Sequence, residues 1–315
     1  MPLETSSVEN KPVVPRSRWK SLFLNGKQLR AGWRFLAFAI AMASLLFAVQ
    51  LVLGKIPATH TLLQEAQSGS LSAPFVLIAD GMALLVLLLV SGFAAKAEKR
   101  SFAVFGLPWQ NAFRSRFWQG ALWGISLATV DIFATHLLGG YSFGTLALSP
   151  KEMFLYGLGW GLAFSLAGIY EEFLFRGYAL FTLGDGMGFW PAAALLSALF
   201  GALHLTNAGE GLIGALNVFL YALFACFTLQ RTGNLWFAIG AHAAWDYSQT
   251  FIYSVPDSGM RATGQLLHSS LHGPQWLTGG TVGPEGSAIG IAALLLSFIA
   301  FSRIFPNKHS LVERT

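Results

Sequence analysis

Three short stretches of this sequence set acidic, basic and histidine side chains at helical spacing. In Ile169-Tyr170-Glu171-Glu172-Phe173-Leu174-Phe175-Arg176, Glu172 stands four residues before Arg176, the order an internal helical ion pair prefers. Glu171, turned by about 100° on a helix, is left without a built-in partner. Phe200-Gly201-Ala202-Leu203-His204 puts an aromatic ring one turn before a histidine, where it can fix the imidazole. In His242-Ala243-Ala244-Trp245-Asp246, histidine and carboxylate again share a face, and Ala243 and Ala244 let another helix approach closely. A free carboxylate with three groups that bond to oxygen can activate water and stabilise an oxyanion, which is what amide hydrolysis needs. Glu171, His204, His242 and Asp246 also offer the N and O donors that a divalent metal such as zinc accepts. Both readings stand on the residues alone.

The segments that carry these residues are unusually apolar. Of 315 residues, 54% are hydrophobic and 11% charged, against about a quarter charged in soluble domains, and the mean hydropathy is +0.55. That surplus calls for lipid. Apolar runs at 33–54, 74–95, 117–138, 153–182, 190–206, 211–230, 234–254 and 286–305 predict an all-α polytopic membrane bundle of about eight transmembrane helices. Lys96, Lys99, Arg100, Arg114, Arg116, Arg176, Arg231 and Arg303 fall on the side of the basic N-terminal tail, whereas only Lys55, Lys151 and Arg261 fall on the other. Positive charge gathers on the inner face of a membrane, so both termini are expected in the cytoplasm, with the protein in the cell (inner) membrane. The net charge of +5 then answers to anionic lipid, and no nucleic-acid partner is implied. The first apolar run is too long for a cleavable signal peptide.

Charged groups at membrane depth cost about 2.5 kcal/mol or more on insertion scales, so they persist where they pair or work. Each pair also has a plain structural reading: a helix-end ion pair for Glu172 and Arg176, a core histidine for His204, an interhelical clamp for His242 and Asp246. Three pairs on three segments are hard to explain as packing. Asp80, Asp131 and His136 lack such pairing and read as structural or cavity-lining, and the single cysteine, Cys226, as a core residue.

The ordered set Glu-Glu-x-x-x-Arg at 171–176, Phe-x-x-x-His at 200–204 and His-x-x-x-Asp at 242–246 resembles the CPBP family of CAAX proteases and bacteriocin-processing enzymes, also called the Abi family. The flanks agree, with Phe175-Arg176-Gly177-Tyr178 after the first motif and Arg231-Thr232-Gly233-Asn234-Leu235-Trp236 before the last. The resemblance covers roughly 150–252 and extends to the type II CAAX prenyl endopeptidases, to which the chain is similar. It implies an eight-helix membrane protease in which Glu171 and His204 position the attacking water, while His242 and Asp246 stabilise the oxyanion or bind the water. Glu172 and Arg176 become a supporting ion pair. Such enzymes have been read both as metalloproteases and as metal-independent glutamate proteases, so the cofactor is either none or a zinc-like metal on the same four residues. The chain departs from the pattern at Asp246, where asparagine is commoner. An ionised aspartate repels an oxyanion, so Asp246 must carry a proton, orient His242 or bind a metal. The other intramembrane protease signatures, His-Glu-x-x-His, Gly-x-Gly-Asp and Gly-x-Ser-Gly, are missing from the sequence.

The expected organisation is a cytoplasmic tail (1–32), N-terminal membrane helices with a cytoplasmic interfacial helix near 101–118 (33–150), a catalytic core (151–254), an external Gly- and Pro-rich loop (255–285), and a last span with its tail (286–315). The expected function is an intramembrane endopeptidase acting on membrane-associated, prenylated or bacteriocin-type proteins within the bilayer. The alternative is a non-hydrolytic transporter or scaffold with a buried polar site. The sequence carries no sign of the oligomeric state.

Overall fold

In lipid, each backbone N–H and C=O has to be satisfied within its own segment, so apolar runs of this length fold as helices. The computed structural model describes residues 22–26, 28–57, 59–60, 64 and 68–306. Most of the N-terminal tail, and Lys308 and Arg314 near the C-terminus, lie outside them. The fold is all-α. The helices are α1 (Ala31–Leu53), α2 (Ala73–Ala97), α3 (Ser115–Leu137), α4 (Pro150–Arg176), α5 (Tyr178–Met187), α6 (Phe189–His204), α7 (Leu212–Thr232), α8 (Trp236–Tyr247), the single turn α9 (Gln275–Thr278) and α10 (Ala288–Ile304). A π-helical turn, Ser248–Ile252, continues α8. Among the described residues, five stretches are long and apolar enough to cross a membrane, namely α1, α2, α3, α4 continued by α5, and α7, while α6 and α10 are shorter apolar helices. The chain is a multi-pass membrane protein.

Two expectations change. The run at 153–182 is not one helix, because the backbone leaves helical geometry at Gly177 (φ −87°, ψ −127°) and restarts as α5. The segment near 101–118 is not an interfacial helix either. It makes two 3-10 turns, Phe102–Phe105 and Trp109–Asn111, separated by Gly106 at φ 81° and by Pro108. Phe105 and Leu107 are fully buried, so the segment closes one end of the core.

Helix α8 is the centre of the bundle, with ten of its twelve residues buried. It meets α3 almost backbone to backbone. A Cβ on Gly120 would lie 2.0 Å from the Phe237 carbonyl oxygen, and one on Gly240 would lie 2.1 Å from that of Phe117. Gly120 and Gly124 form a small-x-x-x-small face, the arrangement that lets membrane helices gain van der Waals contact at close range. By contrast, α1 buries only Phe38 and Met42.

The connections gather at two ends. At one, Arg34 and Arg100 pair with Asp185 (3.1 and 2.6 Å), Leu235 N–H donates to the Gly106 carbonyl at 2.8 Å, and Arg231 donates to the Phe305 carbonyl at 2.9 Å. At the other, the long loop after α8 folds into a cap. There β1 (Ser70–Leu71) pairs parallel with β3 (Arg261–Ala262), and β2 (Tyr141–Ser142) pairs antiparallel with β4 (Ser270–Leu271). The loop expected at 255–285 is therefore ordered by pairing with the connections before α2 and after α3.

Candidate active site

The N-terminus of α4 is set by a capping box, in which Ser149 Oγ accepts from Glu152 N–H and the Glu152 carboxylate accepts from Ser149 N–H, with Pro150 in the first turn. One turn before the glutamate pair, Gly168 faces the α8 backbone, where a Cβ would come within 3.1 Å of the Ile239 carbonyl oxygen. A larger residue there would require the α8 backbone beside His242 to give by a few tenths of an ångström. The close fit brings Glu172 Oε1 to 2.9 Å from His242 Nδ1. Glu172 is fully buried, and its other oxygen lies 3.7 Å from Arg176 Nε. The Arg176 guanidinium packs over the Phe200 ring at 4.7 Å.

Because a carboxylate only accepts, His242 donates Nδ1–H to Glu172, which turns Nε2 toward the other acids. His242 Nε2 lies 3.8 Å from Glu171 Oε2 and 3.5 Å from Asp246 Oδ2. The Tyr221 ring packs edge-on against the imidazole at 5.3 Å. On α6, His204 Nδ1 donates to the Phe200 carbonyl at 2.8 Å, and the two rings meet edge-to-face at 4.6 Å. With Nδ1 donating, Nε2 is the ring nitrogen left to face the cavity.

Glu171, His204, His242 and Asp246 all line one cavity of about 380 Å³, together with Asp80 from α2 and Tyr221 from α7. Glu172 and Arg176 are not among its lining residues and lie behind His242. Asp131 is fully buried, with Thr135 at 3.5 Å, and His136 Nδ1 donates to the Tyr141 carbonyl at 2.7 Å. Neither residue lines the cavity.

Two groups that sequence reasoning did not single out complete the wall, Asp257 and Glu285 from the cap. Asp257 accepts from Gln249 Nε2 (2.7 Å) and Thr250 Oγ1 (2.8 Å). Glu285 accepts from Ser258 Oγ (2.8 Å), Gln249 Nε2 (3.2 Å) and Trp245 Nε1 (3.3 Å). Burial, helped by the charge of Glu285, pushes the Asp257 carboxyl up to about 7. Both acids sit in Gly- and Pro-rich turns, where an acidic residue carries no distinctive signal. Gln249, one turn after Asp246, was the one available hint.

The donor spacing bears on the metal expectation. Among the described residues, the one trio of ionisable ligands whose donor atoms all lie within 4.8 Å of one another is Asp246, Asp257 and Glu285. The set Glu171, His204, His242 and Asp246 does not converge in this way. Glu171 and Asp246 instead approach one nitrogen of His242, whose other nitrogen is taken by Glu172.

No curated protein matches the chain. Residues 154–248, which carry all three motifs from the glutamate pair to Asp246, match the model of the protease family described as type II CAAX prenyl endopeptidase Rce1-like.

Proposed function

We propose that this protein is an intramembrane endopeptidase in which Glu171 is the general base. The observation that carries the reading is the convergence of Glu171, His204, His242 and Asp246 on one cavity, with His242 oriented from behind by a buried carboxylate. Glu171 takes a proton from a water held between it and His204 Nε2, and the water oxygen attacks the scissile carbonyl carbon. His242, protonated at Nε2 beside Glu171 and Asp246, donates to the oxyanion as the carbonyl π electrons move onto oxygen. Collapse of the tetrahedral centre breaks the C–N bond, and Glu171 returns its proton to the leaving amine. Asp246 acts by holding His242 protonated, the role that suits an aspartate at this position. The products are a carboxylic acid and an amine, with one water consumed. Because the donors of this set do not converge, no step is assigned to a metal.

The reading extends to the membrane. The three shorter units, α6, α8 with its π-helical turn, and α10, also cross, so that eight crossings leave both termini in the cytoplasm. The end bearing Arg100 and Arg231 is cytoplasmic, and the cap with Arg261 is external. Reporters fused after Arg100 and Arg231 test this topology, and an external signal at Arg231 sinks it.

The functional test compares membrane-protein cleavage products in cells with the parent protein and with Glu171→Ala. Products that vanish in the variant support the hydrolase. A transporter would instead show substrate-dependent flux that does not require cleavage. In purified form, activity should survive exhaustive chelation; activity lost with stoichiometric zinc and restored by it would reassign the chemistry to a metal.

A further inference from the structure

The proposed active site, on which this inference rests, gathers more carboxyl groups than hydrolysis uses. Asp80, Glu171, Asp246, Asp257 and Glu285 all line the cavity, and among the described residues the basic groups on its wall are His204 and His242, with no lysine or arginine. Asp257 and Glu285 are held in place before any substrate arrives, by donors from Gln249, Thr250, Ser258 and Trp245. Asp80 accepts no hydrogen bond among the described residues and faces the same space. The Tyr221 hydroxyl is another lining group, buried and without a hydrogen-bond partner. Beside these groups lies an apolar wall that includes Leu71, Phe75, Val76 and Met260.

Carboxylates crowded into a low-dielectric space repel one another, and the repulsion is relieved by a cation and worsened by an anion. A lysine or arginine side chain also suits the mixed wall, since its methylene stem lies on apolar surface while its head reaches the acids. We propose that the cavity selects substrates with a basic side chain beside the scissile bond and disfavours those whose free C-terminal carboxylate must enter it. Asp80 on α2 and Glu285 on the cap are the specificity-determining residues. The enzyme thus cuts internal bonds of cationic segments in preference to trimming an anionic terminus.

The test uses the purified full-length protein in lipid nanodiscs and internally quenched peptides that differ only in one flanking residue, lysine, methionine or glutamate. Each is made with a free and an amidated C-terminus. The lysyl peptide should exceed the methionyl one in kcat/KM by about tenfold and the glutamyl one by more, and amidation should improve cleavage of short peptides. The lysyl-to-methionyl ratio should fall toward one in Glu285→Gln and, separately, in Asp80→Asn. A ratio compares two substrates on one preparation, so partial misfolding of a variant cancels. Equal cleavage of the lysyl and methionyl peptides by the parent, or a ratio unmoved in both variants, overturns the selectivity and leaves the hydrolase standing. Absence of cleavage of every peptide by parent and Glu171→Gln alike overturns the hydrolase and this inference with it.

Discussion

The cavity has two walls built on different physics. The helical wall carries Glu171, His204, His242 and Asp246 on α4, α6 and α8. Its side chains are aimed by helical register and by close backbone packing, as where Gly168 meets α8 and Gly240 meets α3. The cap wall carries Asp257 and Glu285 on irregular chain, aimed by side-chain hydrogen bonds from Gln249, Thr250, Ser258 and Trp245. The proposed reactive groups thus sit on closely packed helices, while the cap contributes its carboxyl groups from irregular chain.

The largest expected difference between the walls is catalytic. Glu171→Gln should lower hydrolysis by about 10²–10⁴-fold, the range contributed by a general base, with an unchanged thermal unfolding profile. Glu285→Gln should retain most turnover of a neutral peptide relative to that loss. Comparable losses in the two variants would erase the division between chemistry and selection.

Stability should divide the walls next. Glu172→Ala leaves Arg176 buried without its counter-charge and His242 without its Nδ1 acceptor, so it should destabilise the fold by about 3–5 kcal/mol. Removing a cap acid with Glu285→Ala leaves donors that are only partly buried, and about 1–3 kcal/mol is expected. Unfolding of the detergent-solubilised protein, followed by denaturant titration, orders the two; a larger loss at Glu285 would make the cap the primary scaffold.

The third difference is a pH dependence centred on the cap. Asp257 has its carboxyl raised to about 7 by burial and by the nearby Glu285, against the Thr250 and Gln249 hydrogen bonds and the His242 charge, which favour ionisation. The folded protein therefore binds a proton that the unfolded chain releases near the ordinary aspartate value of 3.8. Between these values the native state holds more protons, so its stability falls as pH rises toward about 7 and levels off above it. Asp257→Asn should flatten that slope in thermal unfolding measured across the interval, and an identical slope in the variant would assign the titration to another group.

The membrane segments were legible because lipid imposes one local rule, a long apolar run that satisfies its own backbone. Breaks were harder to see. Gly177 and Gly106 with Pro108 interrupt segments whose hydrophobicity continues across them, so the run at 153–182 read as one span and the segment near 101–118 as one helix. The pairing of Glu172 with Arg176 was readable from i,i+4 spacing, but its second contact, to His242 some seventy residues away, was not.

By itself, the sequence determined the helical, membrane-bound class and the residues able to do chemistry, because composition and helical period are local properties. Only the tertiary structure decided that Glu172 stands behind His242, that Asp80 shares the cavity, and that Asp257 and Glu285 close it from a loop with no readable period. Those placements depend on how α4 seats against α8 and how the cap pairs with β1 and β2, contacts between distant residues that no local pattern encodes.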